Sequence, residues 1–560
     1  MHDRRGRLRA FPLLTLAAML GPLAAGLWWT IRPALGMMDG APSLGPLRAT
    51  LDWPGLPAAS WLSLTSGAVA TLGALAITAL ILAGWTGTRA FGLLQRLLSP
   101  LLALPHAAAA FGLAFLIAPS GWIARAVSPW ATGWERPPDL LIVQDPWGLA
   151  LAAGLIVKEV PFLLLVSLAA LPQAEAPQSL RIARALGYGR VTGFLLTVFP
   201  RLYSQIRLPV YVTLAYSMST VDVAIILGPN TPPTLSVQIV RWMADPDLAL
   251  RELAAVAALW QLALVLGGIA LWRAGEVLVG RLGALWIGSG RRGRLDGVAG
   301  GAGFVLALLT ALAVLAGLAG LALWSVAGFW SFPDALPDSL TGRSWARHGS
   351  DALATFGDTA LIAGAATLAA LALTVGCLET EHRGGLRPSR SLLLLYLPLL
   401  IPQTAFLPGL QIMLIRLRLD HGLLPVILAH LVFVLPYVFL SLSGPWRAWD
   451  GRIATLAAAL GAAPGRTLWQ VRLPMMLRPL LTAAAVGFAV SVGQYLPTLL
   501  TGGGRVSTLT TEALALASGG DRRAIGVWSL MQALAAFLPF ALALALPALL
   551  FRNRRGMAHG

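Results

Sequence analysis

The chain is written as long apolar runs separated by shorter polar segments. A helix needs about 20 mostly apolar residues to cross a hydrocarbon core of roughly 30 Å. Runs of that length lie near 10–30, 61–85, 97–118, 147–171, 208–228 and 252–272. A second set lies near 301–327, 353–378, 391–415, 421–444, 476–500 and 524–551. The pattern predicts an all-α integral membrane protein of about 12 transmembrane helices, six in each half. The first run follows Arg4, Arg5, Arg7 and Arg9, as a secretory signal would. Its apolar stretch outlasts a signal core and no small-residue cleavage site follows, so an uncleaved span is expected.

Composition supports the same solvent. Of 560 residues 57% are hydrophobic and 12% charged, and the mean hydropathy is +0.74. A soluble domain carries about a quarter charged residues. The formal charge of +17 would suit nucleic acid, but its distribution assigns it to topology. With the N-terminus inside and the loops alternating, each inner segment is arginine-rich. They hold Arg89 and Arg96; Arg181, Arg184, Arg190, Arg201 and Arg207; and Arg273, Arg281, Arg291, Arg292 and Arg294. In the second half they hold Arg383, Arg387 and Arg390; Arg447, Arg452, Arg466, Arg472 and Arg478; and Arg552, Arg554 and Arg555. Acidic residues such as Asp39, Asp52, Glu135, Asp245, Asp334 and Glu512 fall in outer loops. The positive-inside rule then places both termini in the cytoplasm of a multi-pass protein. No nucleic-acid partner is expected. Cys377 stands alone, so neither an intrachain disulfide nor a thiolate metal cluster is expected.

The two halves repeat. Asp145 to Pro161 has the same length as Asp420 to Pro436, and an aromatic residue, Phe162 or Tyr437, follows each proline. Pro105, Gly112 and Leu113 match Pro402, Gly409 and Leu410. Between the fourth and fifth runs of each half lies a long inner segment. In one, Leu186-Gly187 precedes Pro200; in the other, Leu460-Gly461 precedes Pro474 at the same spacing. Matching runs point the same way, so the repeat is parallel about an axis normal to the bilayer. The expected organisation is a repeat over 1–273, an arginine- and glycine-rich cytoplasmic linker over 274–300, and a second repeat over 301–560. An outer insertion at 119–144 is the main asymmetry.

Alanine- and leucine-rich stretches before Gly187 and Gly461 favour short helices, and glycine ends a helix in a left-handed conformation at little cost. Each inner segment therefore predicts two short helices at a glycine elbow. An amphipathic helix resting on lipid headgroups would have a similar composition. A protrusion duplicated at matched places suits the docking of two copies of one partner.

Leu186-Gly187…Phe199-Pro200 and Leu460-Gly461…Leu473-Pro474 resemble the coupling loops of binding-protein-dependent ABC import permeases. The likeness covers nearly the whole chain. Double-length permeases of this kind are similar to the ferric-iron and thiamine importers and to a related inner-membrane permease group, which the segments 105–122 and 145–162 resemble most. The resemblance implies a type I importer permease architecture in a bacterial inner membrane. It assigns Arg181, Ala183, Leu186, Gly187 and Pro200, with Thr455, Ala457, Leu460, Gly461 and Pro474, to ATPase coupling. The family's loops usually open with Glu-Ala-Ala, whereas Arg181-Ile182-Ala183 and Thr455-Leu456-Ala457 stand here. It further implies two copies of a cytoplasmic ABC ATPase, which would bind ATP and magnesium, and an external solute-binding protein.

The sequence carries no GxxxxGK[ST] phosphate loop, no HExxH helix and no GxSxG elbow. The expectation is a transport subunit that performs no chemistry and holds neither cofactor nor metal. A secondary transporter of two six-span halves and an intramembrane enzyme are the alternatives. Charged residues inside spans are costly and mark solute paths or interhelical bonds. Lys158, Glu159, Asp222, His106, Gln403 and Gln494 are the candidates for the path of a small solute. Pro161 and Pro436 are candidate hinges, because proline removes a helical hydrogen bond.

Overall fold

The computed structural model describes residues 2–38, 41–290, 292–293, 296–384 and 394–551, with residues 2–9 described by backbone alone. Asp39, Arg291, Arg294, Arg387, Arg390, Arg552, Arg554 and Arg555 lie outside the described residues, as do the side chains of Arg4, Arg5, Arg7 and Arg9. The described chain is helical, apart from one isolated antiparallel bridge between Ala327 and Leu340. In the first half the principal helices are α1 (His2–Ala34), α2 (Leu56–Trp85), α3 (Arg89–Leu101), α4 (His106–Ile117), α5 (Leu149–Ala170), α6 (Ala176–Ala185) and α7 (Arg190–Gly193). They continue as α8 (Phe199–Ser219), α9 (Asp222–Leu227), α10 (Leu235–Ala244) and α11 (Ala249–Gly288). The second half holds α12 (Asp296–Val326), α13 (Arg343–Gly384), α14 (Gln403–Arg416), α15 (Leu424–Ala448), α16 (Gly451–Ala459) and α17 (Pro464–Thr467). It ends with α18 (Leu477–Val492), α19 (Leu496–Gly502), α20 (Leu509–Ala515) and α21 (Arg522–Leu550).

The twelve expected spans become nine single helices among the described residues, or up to eleven when two sharply bent pairs are each counted as one. Local chemistry explains the difference. The run at 97–118 is interrupted between α3 and α4, where Pro105 disfavours a helical residue before it. Pro402 acts likewise before α14, where Leu394–Leu400 meets Gln403–Arg416 at 90°. The run at 208–228 is divided at Thr220 and Val221, and its helix α8 carries Arg201 and Arg207 near its start. The run at 476–500 divides at Gly493–Tyr495. The linker region at 274–300 is also largely helical, because α11 continues to Gly288 and α12 begins at Asp296.

The first helix of each half packs on the other half. α1 lies against α14 and α13, while α12 lies against α4 and α2. Glycines permit the close approach. A Cβ built on Gly112 would stand 2.9 Å from the Gly317 carbonyl carbon, and one on Gly317 would stand 2.8 Å from that of Gly112. At the other crossing, a Cβ on Gly409 would overlap the Gly26 oxygen and the Thr30 nitrogen. Backbone cannot move aside as a side-chain tip can, so Gly409→Val forces overpacking that costs about 1–3 kcal/mol or more. The expected result is a lower thermal midpoint for the purified protein. An unchanged midpoint would remove this crossing from the account.

Small polar groups are placed alike in the two halves. Ser63 Oγ accepts from Leu235 N at 3.1 Å, and Thr359 Oγ1 accepts from Leu509 N at 3.0 Å. Ser236 Oγ donates to Thr220 O at 2.7 Å, and Thr510 Oγ1 donates to Val492 O. These hydroxyls satisfy backbone groups that the broken helices leave unpaired in an apolar setting.

Candidate functional site: a polar centre and two protruding loops

Helix breaks bring polar residues into the middle of the bundle. His106 and Gln403 are the first residues of α4 and α14, each just after its proline. Glu159 comes from α5, and its Oε2 accepts from Thr213 Oγ1 at 3.1 Å. His106 Nε2 lies 3.7 Å from Glu159 Oε1, and its ring packs on Tyr216 with centroids 4.8 Å apart. Asp222 opens α9; its Oδ1 accepts from Thr220 Oγ1 at 2.8 Å and from the Tyr216 hydroxyl at 3.5 Å. Gln403 donates to Gln494 Oε1 at 3.3 Å, across from the break before α19. Tyr437 and Tyr495 of the second half come within electrostatic reach of Glu159 and Asp222 respectively. Five of the six expected path residues thus sit at helix breaks or face one. Thr213, Tyr216, Tyr437 and Tyr495 were not legible as partners, since apolar runs hide which face each residue takes.

Lys158 is placed differently. Its Nζ donates to Leu101 O at 3.0 Å and to Leu104 O at 2.5 Å, and the side chain is buried. Leu101 is the last residue of α3 and Leu104 lies in the short link to α4, where a cation is favoured by the helix dipole. Neighbouring residues on a helix do not face each other. Lys158 braces α3 against α5, while Glu159 turns to the centre. Among the described residues no group of three or more His, Cys, Asp or Glu is arranged to hold a metal. Pro161 and Pro436 are buried within α5 and α15, and both helices continue through them.

The inner loops form a matched pair at one end of the bundle. Gly187 has φ +82° and Gly461 φ +81°. In each, the glycine N–H and the next residue's N–H close the preceding helix: Gly187 N to Arg184 O and Tyr188 N to Ala183 O, then Gly461 N to Ala458 O and Ala462 N to Ala457 O. That is the left-handed helix ending for which glycine is suited. A π turn follows in both, at Phe194–Val198 and Leu468–Arg472, before Pro200 and Pro474. Ala183 and Ala457 are buried beneath the elbows, whereas Arg181 and Thr455 are exposed. The outer face carries apolar pairs one turn apart. Ile182 and Leu186 are 56% and 58% exposed, and Leu456 and Leu460 are 62% and 81% exposed. Ile182 and Leu456 are additions to the expected set; their spacing of four before each elbow leucine is the signal.

The loops are anchored by different groups. In the second, Arg472 pairs with Glu379 at 3.0 Å and stacks on Trp446 and Trp449. Asp450 caps α16 by accepting from Arg452 N at 2.9 Å. The Arg452 side chain, then this backbone bond, hold the Asp450 carboxyl below its ordinary range. In the first loop, Asp296 of α12 accepts from the α7 backbone.

A polar centre enclosed by two halves of an apolar helical bundle is the build of a membrane transport subunit. Comparison with known proteins gives the family. The chain is 32% identical over 540 residues, 96% of each chain, to the inner membrane ABC transporter permease protein YnjC of Escherichia coli (strain K12). A segment of 89 residues, 16% of this chain and 34% of the relative, is 36% identical to the molybdenum transport system permease protein ModB of Mycobacterium tuberculosis (strain ATCC 25618 / H37Rv). Another of 137 residues, 23% of this chain and 48% of the relative, is 28% identical to the putrescine transport system permease protein PotI of Escherichia coli (strain K12). No protein-family model matches the chain. No solved structure matches it. The chain belongs to the permeases of ABC transporters. It is a multi-pass inner-membrane transport protein, and membership implies ATPase and solute-binding partners in general.

Proposed function

We propose that this chain supplies the whole solute pathway of an ATP-driven importer, with both permease halves fused. The end bearing the two loops, and both termini, face the cytoplasm. Two copies of a separate ABC ATPase, which bind ATP and magnesium, dock on the elbows. A solute-binding protein delivers a small solute to the opposite end. ATP binding draws the ATPases together, moves both loops and rocks the halves, with Pro161 and Pro436 as hinges. The solute passes the centre formed by His106, Glu159, Asp222, Gln403 and Gln494, while Lys158 belongs to its wall.

One observation carries this reading: two matched glycine-capped protrusions each leave an apolar pair exposed, Ile182 with Leu186 and Leu456 with Leu460. Fully burying such a side chain is worth roughly 1.5–3 kcal/mol, so the two pairs are ready anchors for a duplicated partner. The test uses Leu186→Cys and Leu460→Cys in a Cys377→Ser background, which keeps a hydroxyl opposite Thr15. Crosslinks to a co-purified ATPase at both positions, with uptake that stops without ATP, are expected. Crosslinks to lipid alone, or uptake in nucleotide-free vesicles, would overturn the proposal.

A further inference from the structure

Asp296 is the first residue of α12, the helix that crosses from the second half onto the first. Its carboxylate is directed away from its own helix and receives four hydrogen bonds from the first coupling loop. Val191 N donates to Oδ2 at 2.6 Å, Thr192 N lies 3.2 Å from both oxygens, and Thr192 Oγ1 donates to Oδ1 at 2.5 Å. Val191 and Thr192 lie in the first turn of α7, where backbone N–H groups have no helical partner. The loop leaves room for this carboxylate: a Cβ on Gly189 would overlap Asp296. Arg292 covers the Gly187 elbow, with its Nη1 3.0 Å from the place of an added Cβ. Arg190 holds the same turn to α2, donating to Ala83 O at 3.2 Å and to Thr86 O.

The second loop is tied otherwise. Gly465 and Arg466 of α17 stand where Val191 and Thr192 stand in α7, and among the described residues no side chain caps them. The loop's described ties run to its own half, through Arg383 to Pro464 O at 3.2 Å and through Arg472 to Glu379. Among the described residues, an added Cβ on Gly461 meets nothing within 4 Å.

We propose that Asp296 is a positioning residue for coupling, tying the first ATPase-docking loop to the crossing helix of the opposite half. From Asp296 to Gly317 α12 is an unbroken lever of roughly 30 Å. At Gly317 it lies on Gly112 of α4, the helix that begins with His106 at the polar centre. A displacement of the first loop therefore acts on both halves. Among the described residues the two docking sites are held by different ties although their elbows are alike.

This inference rests on the docking reading above, and the test separates them. Amide exchange is measured on the full chain without ATPase, for Asp296→Asn, Asp296→Glu and Gly189→Ala. Asp296→Asn and Gly189→Ala should expose Val191 and Thr192 at least about tenfold, a loss equal to 1.4 kcal/mol of protection, while Gly461 and Ala462, whose N–H groups close the second elbow, keep theirs. In the ATPase-bound protein, Asp296→Asn should lower Leu186→Cys crosslinking several-fold and leave Leu460→Cys crosslinking unchanged. Uptake per ATP hydrolysed should fall, and Asp296→Glu should restore part of it. Unchanged exchange at Val191, equal loss at both loops, or an unchanged ratio of uptake to hydrolysis overturns the positioning role. Altered exchange with no ATPase crosslink at either loop overturns the docking reading and the positioning role with it.

Discussion

Gly461→Val will leave ATP hydrolysis running while solute uptake falls. At φ +81° a side chain is strained whatever the space around it, and among the described residues nothing lies within 4 Å of the new Cβ. The left-handed conformation costs an L-residue roughly 1–2 kcal/mol, and a β-branched one more. The elbow must therefore unwind or rotate, displacing Leu460 relative to buried Ala457. Uptake should drop about tenfold or more for each 1.4 kcal/mol of lost alignment. Gly461→Asn, which tolerates the left-handed region, should retain most uptake. Parallel assays of ATP hydrolysis and uptake in proteoliposomes decide the matter, and equal uptake by the valine and asparagine variants would remove the elbow from coupling.

Glu159→Gln and Lys158→Met separate two roles that sequence adjacency conceals. The glutamine keeps an acceptor for Thr213 and loses the charge facing His106, so folded protein and loop crosslinks should persist while uptake falls by about tenfold or more, the equivalent of 1.4 kcal/mol. Lys158→Met strips buried Leu104 O of its described donor and leaves Leu101 O only the Leu104 N–H at 3.3 Å. Leaving buried acceptors unsatisfied costs about 1–3 kcal/mol, so this variant should lose folded protein and thermal stability. Folded yield by size exclusion, with uptake normalised to it, distinguishes the two. Normal uptake in Glu159→Gln would remove Glu159 from the path.

Much of this was legible before any coordinates. Matched Leu-Gly…Pro spacings reveal both loops, because a left-handed helix ending favours glycine and proline suits the first turn of the helix that follows. Hydropathy located the apolar runs but not the breaks at Thr220 and Gly493–Tyr495, since averaging is blind to helix continuity. It equally missed the start of α8, where Arg201 and Arg207 dilute the loop end. The partners of Lys158 are backbone carbonyls, which no side-chain pattern advertises. Asp296 lay in a region read as a linker, and its target is set by the exchange of first helices between halves. His430, held by Ser491 at 2.7 Å and Thr498 at 2.9 Å, has leucine at the matched place, so the repeat gave no cue to it.

The exchange of first helices also bears on biosynthesis. α1 leaves the ribosome well before α14, yet its glycine-matched seat is on that helix. At roughly 5–20 residues per second, translation keeps that seat away for tens of seconds. During that interval α1 must wait beside lipid, an insertase or another nascent segment. Joining both halves in one polypeptide guarantees that the awaited surface arrives tethered, in equal number, and from the same messenger.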